Sequence, residues 1–256
     1  MGRSSAAADA PPHVVLLIGE DEYQTEKTLP AFADAELASR GLRLTAVHSD
    51  VQDPNRFPDL ANALDQADLL VVSVRRRTPP AEQLQRIRTY IEAGKPVVGI
   101  RTASHAFSLR SNQPPPAGHA AWPEFDARVL GGHYTNHHPA PTENARTIVW
   151  IKDEAKTHPI LVGLPQGEWS VGSSLYKTRP LGESTKVLLM GRFEGGQTAE
   201  DRAAEPVAWT NTDYRGGRVF YTSLGHPDDF KIAAFRRLLL NGVFWALDRT
   251  VPDKKN

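Results

Sequence analysis

The sequence predicts an α/β protein: a doubly wound, mostly parallel sheet with antiparallel strands added late in the chain. Three observations predict it. Short runs that are apolar almost throughout, Val14–Ile18, Asp68–Val74 and Val97–Ile100, read as parallel strands buried on both faces. Helical signals separate them, so the order is β-α-β-α-β-α-β. The last of these runs ends abruptly in Arg101, and small polar residues and His105 follow, which reads as strand, sharp turn and helix. In open α/β sheets the crevice beyond the carboxyl ends of the strands is where ligands bind.

Val14–Ile18 is the first strand, and the polar loop Gly19–Gln24 follows it. A helix runs from about Leu29 to Ser39 and is stopped by Gly41. Leu42–His48 is the second strand, Phe57–Leu64 a short helix and Asp68–Val74 the third strand. Thr78 as N-cap and Pro79 as first helical residue open the next helix. Its apolar stripe is Leu84, Ile87 and Ile91, and Gly94 and Pro96 end it. Pro96–Ile100 is the fourth strand. Residues 111–144 break the rhythm with a proline run and a cluster of histidines, and so long a loop is either functional or disordered. Strand signals return at Arg146–Ile151, Lys186–Met190, Pro206–Thr210 and Arg218–Leu224, the last two as an antiparallel pair. A helix from about Asp229 to Leu247, apolar almost all round, is expected to be buried on more than one side. Residues 13–250 read as a single domain, and residues 1–12 as a disordered leader.

Composition removes whole classes of function. The chain of 256 residues contains no cysteine, which excludes thiol nucleophiles, disulfides and Cys-based zinc sites. Basic and acidic residues number 30 each, so neither nucleic acid nor an anionic membrane is an expected partner. No apolar run approaches the ~20 residues needed to span a bilayer. The leader lacks the apolar core of a signal peptide. It reads equally well as a cytoplasmic N-terminus or as the stub of an exported protein whose signal sequence is absent. There is no G-x-S-x-G elbow, no phosphate-binding P-loop and no G-x-G-x-x-G after the first strand. A serine-triad hydrolase, a nucleotide and NAD are therefore not expected.

Placing the strand ends on one edge gathers a polar set. The first strand delivers Glu20, Asp21, Glu22 and Tyr23; the third Arg75, Arg76 and Arg77; the fourth Arg101, Ser104 and His105; the late strand Gly225-His226-Pro-Asp-Asp229. The irregular segment adds His119, Trp122, His133, Tyr134, His137 and His138. Imidazoles in such a cluster suit acid/base chemistry near neutral pH, or one divalent metal ion, with His133 and His137 as the candidate ligands. A glutamate, Glu20 or Glu22, would be the second acid/base group, its pKa raised by partial burial. Arginines such as Arg75, Arg77 and Arg101 would hold an oxygen-rich substrate or stabilise developing negative charge. Trp122, Tyr23 and Tyr134 would stack on a sugar ring. The same carboxylates and guanidiniums could instead simply pair with one another across the strand ends.

Four segments in order carry a resemblance to a known family: Gly99-Ile-Arg-Thr-Ala-Ser-His-Ala-Phe107, Leu130-Gly-Gly-His-Tyr-Thr-Asn-His-His-Pro139, His158-Pro-Ile-Leu-Val-Gly-Leu-Pro165, and Pro206-Val-Ala-Trp-Thr210 with Gly217-Arg-Val-Phe-Tyr-Thr-Ser-Leu-Gly-His-Pro-Asp-Asp-Phe230. Together, over residues 14–247, they resemble the ThuA-like (trehalose utilisation) family. The resemblance implies a class I glutamine-amidotransferase-like, flavodoxin-like α/β fold whose elbow has lost its cysteine. It implies a carbohydrate substrate of the trehalose or 3-keto-glucoside class. The matching motif histidines are His105, His133, His137 and His226, and Tyr176 is the one match in the segment after the His-Pro-Ile motif. Many members carry His where this chain has Arg101. The expected activity is thus that of a hydrolase or lyase on a glycoside or 3-keto-glycoside. His105, His133, His226, Glu22 and Arg101 are the expected catalytic residues, and Tyr23, Arg75, Arg77, Trp122, Tyr134 and Tyr176 the substrate-binding ones. The alternative is a catalytically silent sugar-binding protein on the same scaffold. The oligomeric state, a homo-oligomer among the options, stays open.

Overall fold

The computed structural model describes residues 10–110, 114–195, 198–200 and 202–253, so most of the expected leader lies outside the described residues. The first half supplies β1 (His13–Gly19), β2 (Arg43–His48), β3 (Leu69–Val74) and β4 (Val97–Ile100), with α1 (Thr25–Phe32), α2 (Leu60–Asp65) and α3 (Ala81–Glu92) between them. The second half supplies β5 (Asn136–His137), β6 (Arg146–Ile151), β7 (Trp169–Val171), β8 (Tyr176–Lys177), β9 (Lys186–Glu194), β10 (Glu205–Asn211), β11 (Val219–Thr222) and α4 (Ala233–Ala246).

Nine strands form one sheet in the order β2-β1-β3-β4-β11-β10-β9-β6-β7, and β5 pairs with β8 apart from it. From β2 to β11 every pairing is parallel; from β11 to β7 every pairing is antiparallel. This is the doubly wound α/β fold with late antiparallel strands that the sequence predicts. Successive side chains of β1 go to opposite faces. Val14, Leu16 and Ile18 join Leu29 and Phe32 of α1 and Leu238 and Leu239 of α4 in one core. Val15 and Leu17 join Leu60 of α2 and Leu84 and Ile87 of α3 in the other.

Several local expectations are corrected. The first helix starts at Thr25 rather than Leu29, because the buried Glu20 carboxylate accepts the Thr25 N–H at 2.7 Å. It continues past Phe32 through a π-turn and a 3-10 turn to Gly41, whose φ of 78° ends it. Thr78 is not the cap of α3: Pro80 holds that position, and the Thr78 N–H donates to Asn55 Oδ1. The turn after β4 is one 3-10 segment, Arg101–His105, not a long helix. The short strands β5, β7 and β8 have no periodic signal. β8 places Tyr176 opposite His137.

The strand order sets the position of the site. β2 and β3 lie on opposite sides of β1, so the chain leaves β1 in one direction and β3 in the other. The loops after β1 and β3 therefore open the crevice at the switch point. They carry Glu20–Tyr23 and Arg75–Arg77.

Candidate functional site

Glu20 builds the floor of the first loop. Its Oε2 accepts the N–H groups of Glu22 and Tyr23 at 2.8 and 2.6 Å, and its Oε1 accepts the Thr25 N–H and hydroxyl. Four donors leave this carboxylate, 6 % exposed, no capacity for acid/base work. Glu22 is the free-standing carboxylate of the pair. It accepts from Arg75 Nε at 2.6 Å and from the Tyr23 hydroxyl at 3.2 Å. Arg77 pairs with Asp21 at 3.4 Å. The switch-point crevice is therefore laced by two carboxylate–guanidinium pairs, one from each loop.

Arg101 occupies the sharp turn after β4 with φ of 44°, an unusual value for a residue with a side chain. Its carbonyl accepts the Tyr221 hydroxyl at 2.7 Å. Its guanidinium turns inward, donating to the carbonyls of Ser223 and Ser174 and to Ser174 Oγ. The rings of Tyr23 and Tyr176 lie 4.1 and 4.7 Å from its central carbon. Burial opposes this charge, but Tyr176, Tyr23 and Asp229 together hold its pKa above the usual value. At 2 % exposure Arg101 offers a ligand no face. Instead of orienting a substrate, it is the pillar around which the tyrosines are arranged.

Around this pillar stand two of the predicted histidines. The His105 ring is 4.5 Å from Tyr134 and 6.1 Å from Tyr176, and its Nδ1 lies 3.1 Å from Ser104 Oγ. Burial and the guanidiniums of Arg76, Arg75, Arg101 and Arg110 push its pKa down to about 3. His105 is thus a neutral imidazole at working pH and no proton-storing acid. The His226 ring is 6.1 Å from Tyr23, on the other side of Arg101. Its loop is tied by Asp229, whose buried carboxylate accepts the N–H groups of Gly172, Gly225 and His226 and the Ser173 hydroxyl.

His133 is reached through its neighbour. Tyr134 packs 4.6 Å from Tyr176, while the half-exposed His133 turns to Asp126, Nδ1 to Oδ2 3.0 Å. Asp126 also accepts the Tyr134 and Ala127 N–H groups. Burial raises its pKa, against the opposing pull of these hydrogen bonds and of His133. The dyad engages only Nδ1, which leaves Nε2 of this half-exposed side chain without a hydrogen bond among the described residues. His137 is exposed and engaged at Nδ1 by the His138 carbonyl, and its ring lies 6.2 Å from Tyr176. Among the described residues no three His, Asp or Glu side chains converge as a metal site, and His137 lies in β5 with His133 in the extended stretch before it, so the two share no helix face.

Trp122 departs furthest from expectation. It is 2 % exposed, packs 5.3 Å from Phe125 and takes Arg88 on its ring, so it belongs to the core under α3. His119 ties its loop to the Thr78 carbonyl. Sequence reasoning passed over Asp126, and it placed Asp229 and Arg76 at the strand ends without giving either a role. Asp229 sits inside the Gly217–Phe230 motif, so a signal was present. Asp126 falls in the irregular segment, seven residues before His133, where no periodicity marks it.

Among the described residues no helix is long and apolar enough to cross a membrane. No curated protein matches the chain. Among solved structures, a ThuA-like protein of Parabacteroides merdae superposes with a TM-score of 0.69 at 20 % identity, over 95 % of this chain and 93 % of that one. A ThuA-like protein of Bacteroides uniformis gives 0.65 at 18 %, over 96 % and 95 %. At these identities the likeness is one of fold. The family model described as ThuA, trehalose utilisation, matches residues 14–246. That match spans every strand end from the Glu22 loop to the His226 loop, and by it this chain belongs to the ThuA family, whose name ties it to carbohydrate use.

Proposed function

We propose that this chain is a carbohydrate-active enzyme, a hydrolase or lyase acting on a glycoside or 3-keto-glycoside of the trehalose-like class. The observation that carries the reading is the set around Arg101. Tyr23 and Tyr134 are half-buried rings suited to the C–H face of a pyranose, with the Glu22–Arg75 pair beside one and the Asp126–His133 dyad beside the other. The family's name, trehalose utilisation, supports the substrate class.

In this reading His133 is the base and Asp126 its positioning residue, holding Nδ1 so that Nε2 meets the substrate. With a 3-keto-glycoside, His133 takes the proton at C2, which the neighbouring ketone acidifies. The electron pair closes the C1–C2 double bond as the C1 substituent leaves, and His226 supplies the proton to the departing oxygen. Arg75 holds Glu22 in place. The neutral His105 donates or accepts a hydrogen bond without exchanging protons with solvent.

A second reading, a sugar-binding protein without turnover, is favoured by the burial of Arg101 and the low basicity of His105. A panel of trehalose, related disaccharides and their 3-keto forms separates the two. Turnover of one panel member, lowered about a hundredfold in His133→Ala with binding retained, is the expected result. Binding by calorimetry with no turnover across the panel would replace the enzyme with the binding protein.

A further inference from the structure

Arg76 is the middle residue of the arginine run after β3 and stands apart from its neighbours. Arg75 has Glu22 and Arg77 has Asp21. Arg76 has no carboxylate partner among the described residues, and its Nε is buried without a hydrogen bond. The backbone is bent to put it there. Its φ is 50°, and its N–H donates to the His105 carbonyl at 3.0 Å, locking the residue to the wall that holds the His105–Tyr134 pair.

The charges around the guanidinium are those of Arg110 and Arg75, with the Tyr134 and Tyr176 hydroxyls as the groups that favour its charge. Burial and those like charges lower its pKa, so the site holds positive charge at a cost that the two tyrosines offset only in part. A planar fork whose terminal nitrogens make no hydrogen bond or ion pair among the described residues suits a carboxylate or phosphate. The chain as a whole is neutral, which makes the local excess a property of this rim. Surface steering would not need a half-buried, conformationally strained arginine.

We propose that the substrate carries an anionic group, a carboxylate or a phosphate on the sugar, and that Arg76, with Arg110 at the mouth, binds it against the His105–Tyr134 wall. This rests on the carbohydrate reading above and narrows it to glycosides that carry a carboxylate or a phosphate. A charge-assisted pair of hydrogen bonds would raise affinity about tenfold to a hundredfold over the neutral sugar.

The test is calorimetric titration of the full chain at low salt with glucose, glucuronate, glucose 6-phosphate and inorganic phosphate. The expected result is tighter binding of glucuronate or glucose 6-phosphate than of glucose by about tenfold or more, and which of the two wins tells carboxylate from phosphate. Arg76→Gln should erase that preference and leave glucose affinity unchanged. Arg110→Gln, at an exposed position where folding is not at stake, should weaken the same ligand several-fold. Equal binding of glucose and both anionic sugars overturns the anion assignment and leaves the carbohydrate reading standing. Inorganic phosphate bound through Arg76 with no sugar bound at all does the reverse. A preference that survives Arg76→Gln, or no binding of any probe, overturns the proposal.

Discussion

Replacing Asp229 by Asn tests whether one buried carboxylate organises the His226 side of the site. Asp229 is fully buried. Its Oδ2 accepts Ser173 Oγ at 2.5 Å, Gly225 N at 2.9 Å and His226 N at 3.1 Å, and its Oδ1 accepts Gly172 N at 2.7 Å. The amide oxygen of Asn would take the three-donor position, which turns its NH2 group against the Gly172 N–H. One buried donor facing another costs about 1–3 kcal/mol, and loss of the charge weakens each remaining bond by about 1 kcal/mol. The Arg101 guanidinium also loses the carboxylate that helps hold its charge. The total is about 4–6 kcal/mol, which for a chain of this length lowers Tm by roughly 8–24 °C. The assay is thermal unfolding followed by circular dichroism, with Asp228→Asn as control. Asp228 is the exposed neighbour, paired with Lys231, and its replacement should move Tm by no more than about 2 °C. A Tm for Asp229→Asn as close to the wild type as the control's would refute the reasoning.

His105 makes stability depend on pH. Its folded-state pKa of about 3 lies below the unfolded value of 6.5, so between these limits the unfolded chain binds a proton that the folded chain does not. Stability present above pH 6.5 is therefore lost as pH falls toward 3, at about 1.4 kcal/mol per unit. Urea midpoints between pH 4 and 6 should rise less steeply with pH in His105→Gln, and an unchanged slope would show that the imidazole is not held neutral. In α4, Gly242→Ala sets two effects against each other. Alanine favours the helix by about 1 kcal/mol, but its Cβ would run into the buried Phe220 ring, and overpacking costs about 1–3 kcal/mol. Denaturant unfolding should show a net loss of stability, and a gain would mean that the ring yields freely. On a turned-over substrate, Asp126→Asn should lower kcat about tenfold or more with KM little changed, because it loosens the orientation of His133 rather than the sugar. A matching rise in KM would instead place Asp126 in substrate binding.

Much of the fold was legible because parallel strands buried on both faces must be apolar throughout. Val14–Ile18, Leu69–Val74 and Val97–Ile100 are such runs, and each is a strand. The helix ends were less legible. The start of α1 is set by a carboxylate five positions upstream, and Thr78, which reads as the cap of α3, is instead engaged by a side chain from another loop, Asn55. Neither device leaves a periodic trace. The two-residue strands β5 and β8 exist because they face each other, and each alone is too short to carry a pattern.

For the site, residue type and position after a strand were enough to bring Glu22, Tyr23, Arg75, His105 and His226 to one rim, since a parallel sheet sends every strand end the same way. The sequence by itself determined which chemistry-bearing groups could meet. The tertiary structure alone decided which way each one turned. Arg101 and Trp122 look like ligand contacts in the sequence and are both 2 % exposed, whereas Arg76, one more basic residue in a run, is left without a carboxylate partner among the described residues and with its Nε unpaired. Orientation depends on the partner that satisfies each polar group, and those partners come from elements far along the chain: Ser174 and Ser223 for Arg101, and Asp126 for His133. No local pattern encodes such a pairing, because its energy exists only once the elements are packed.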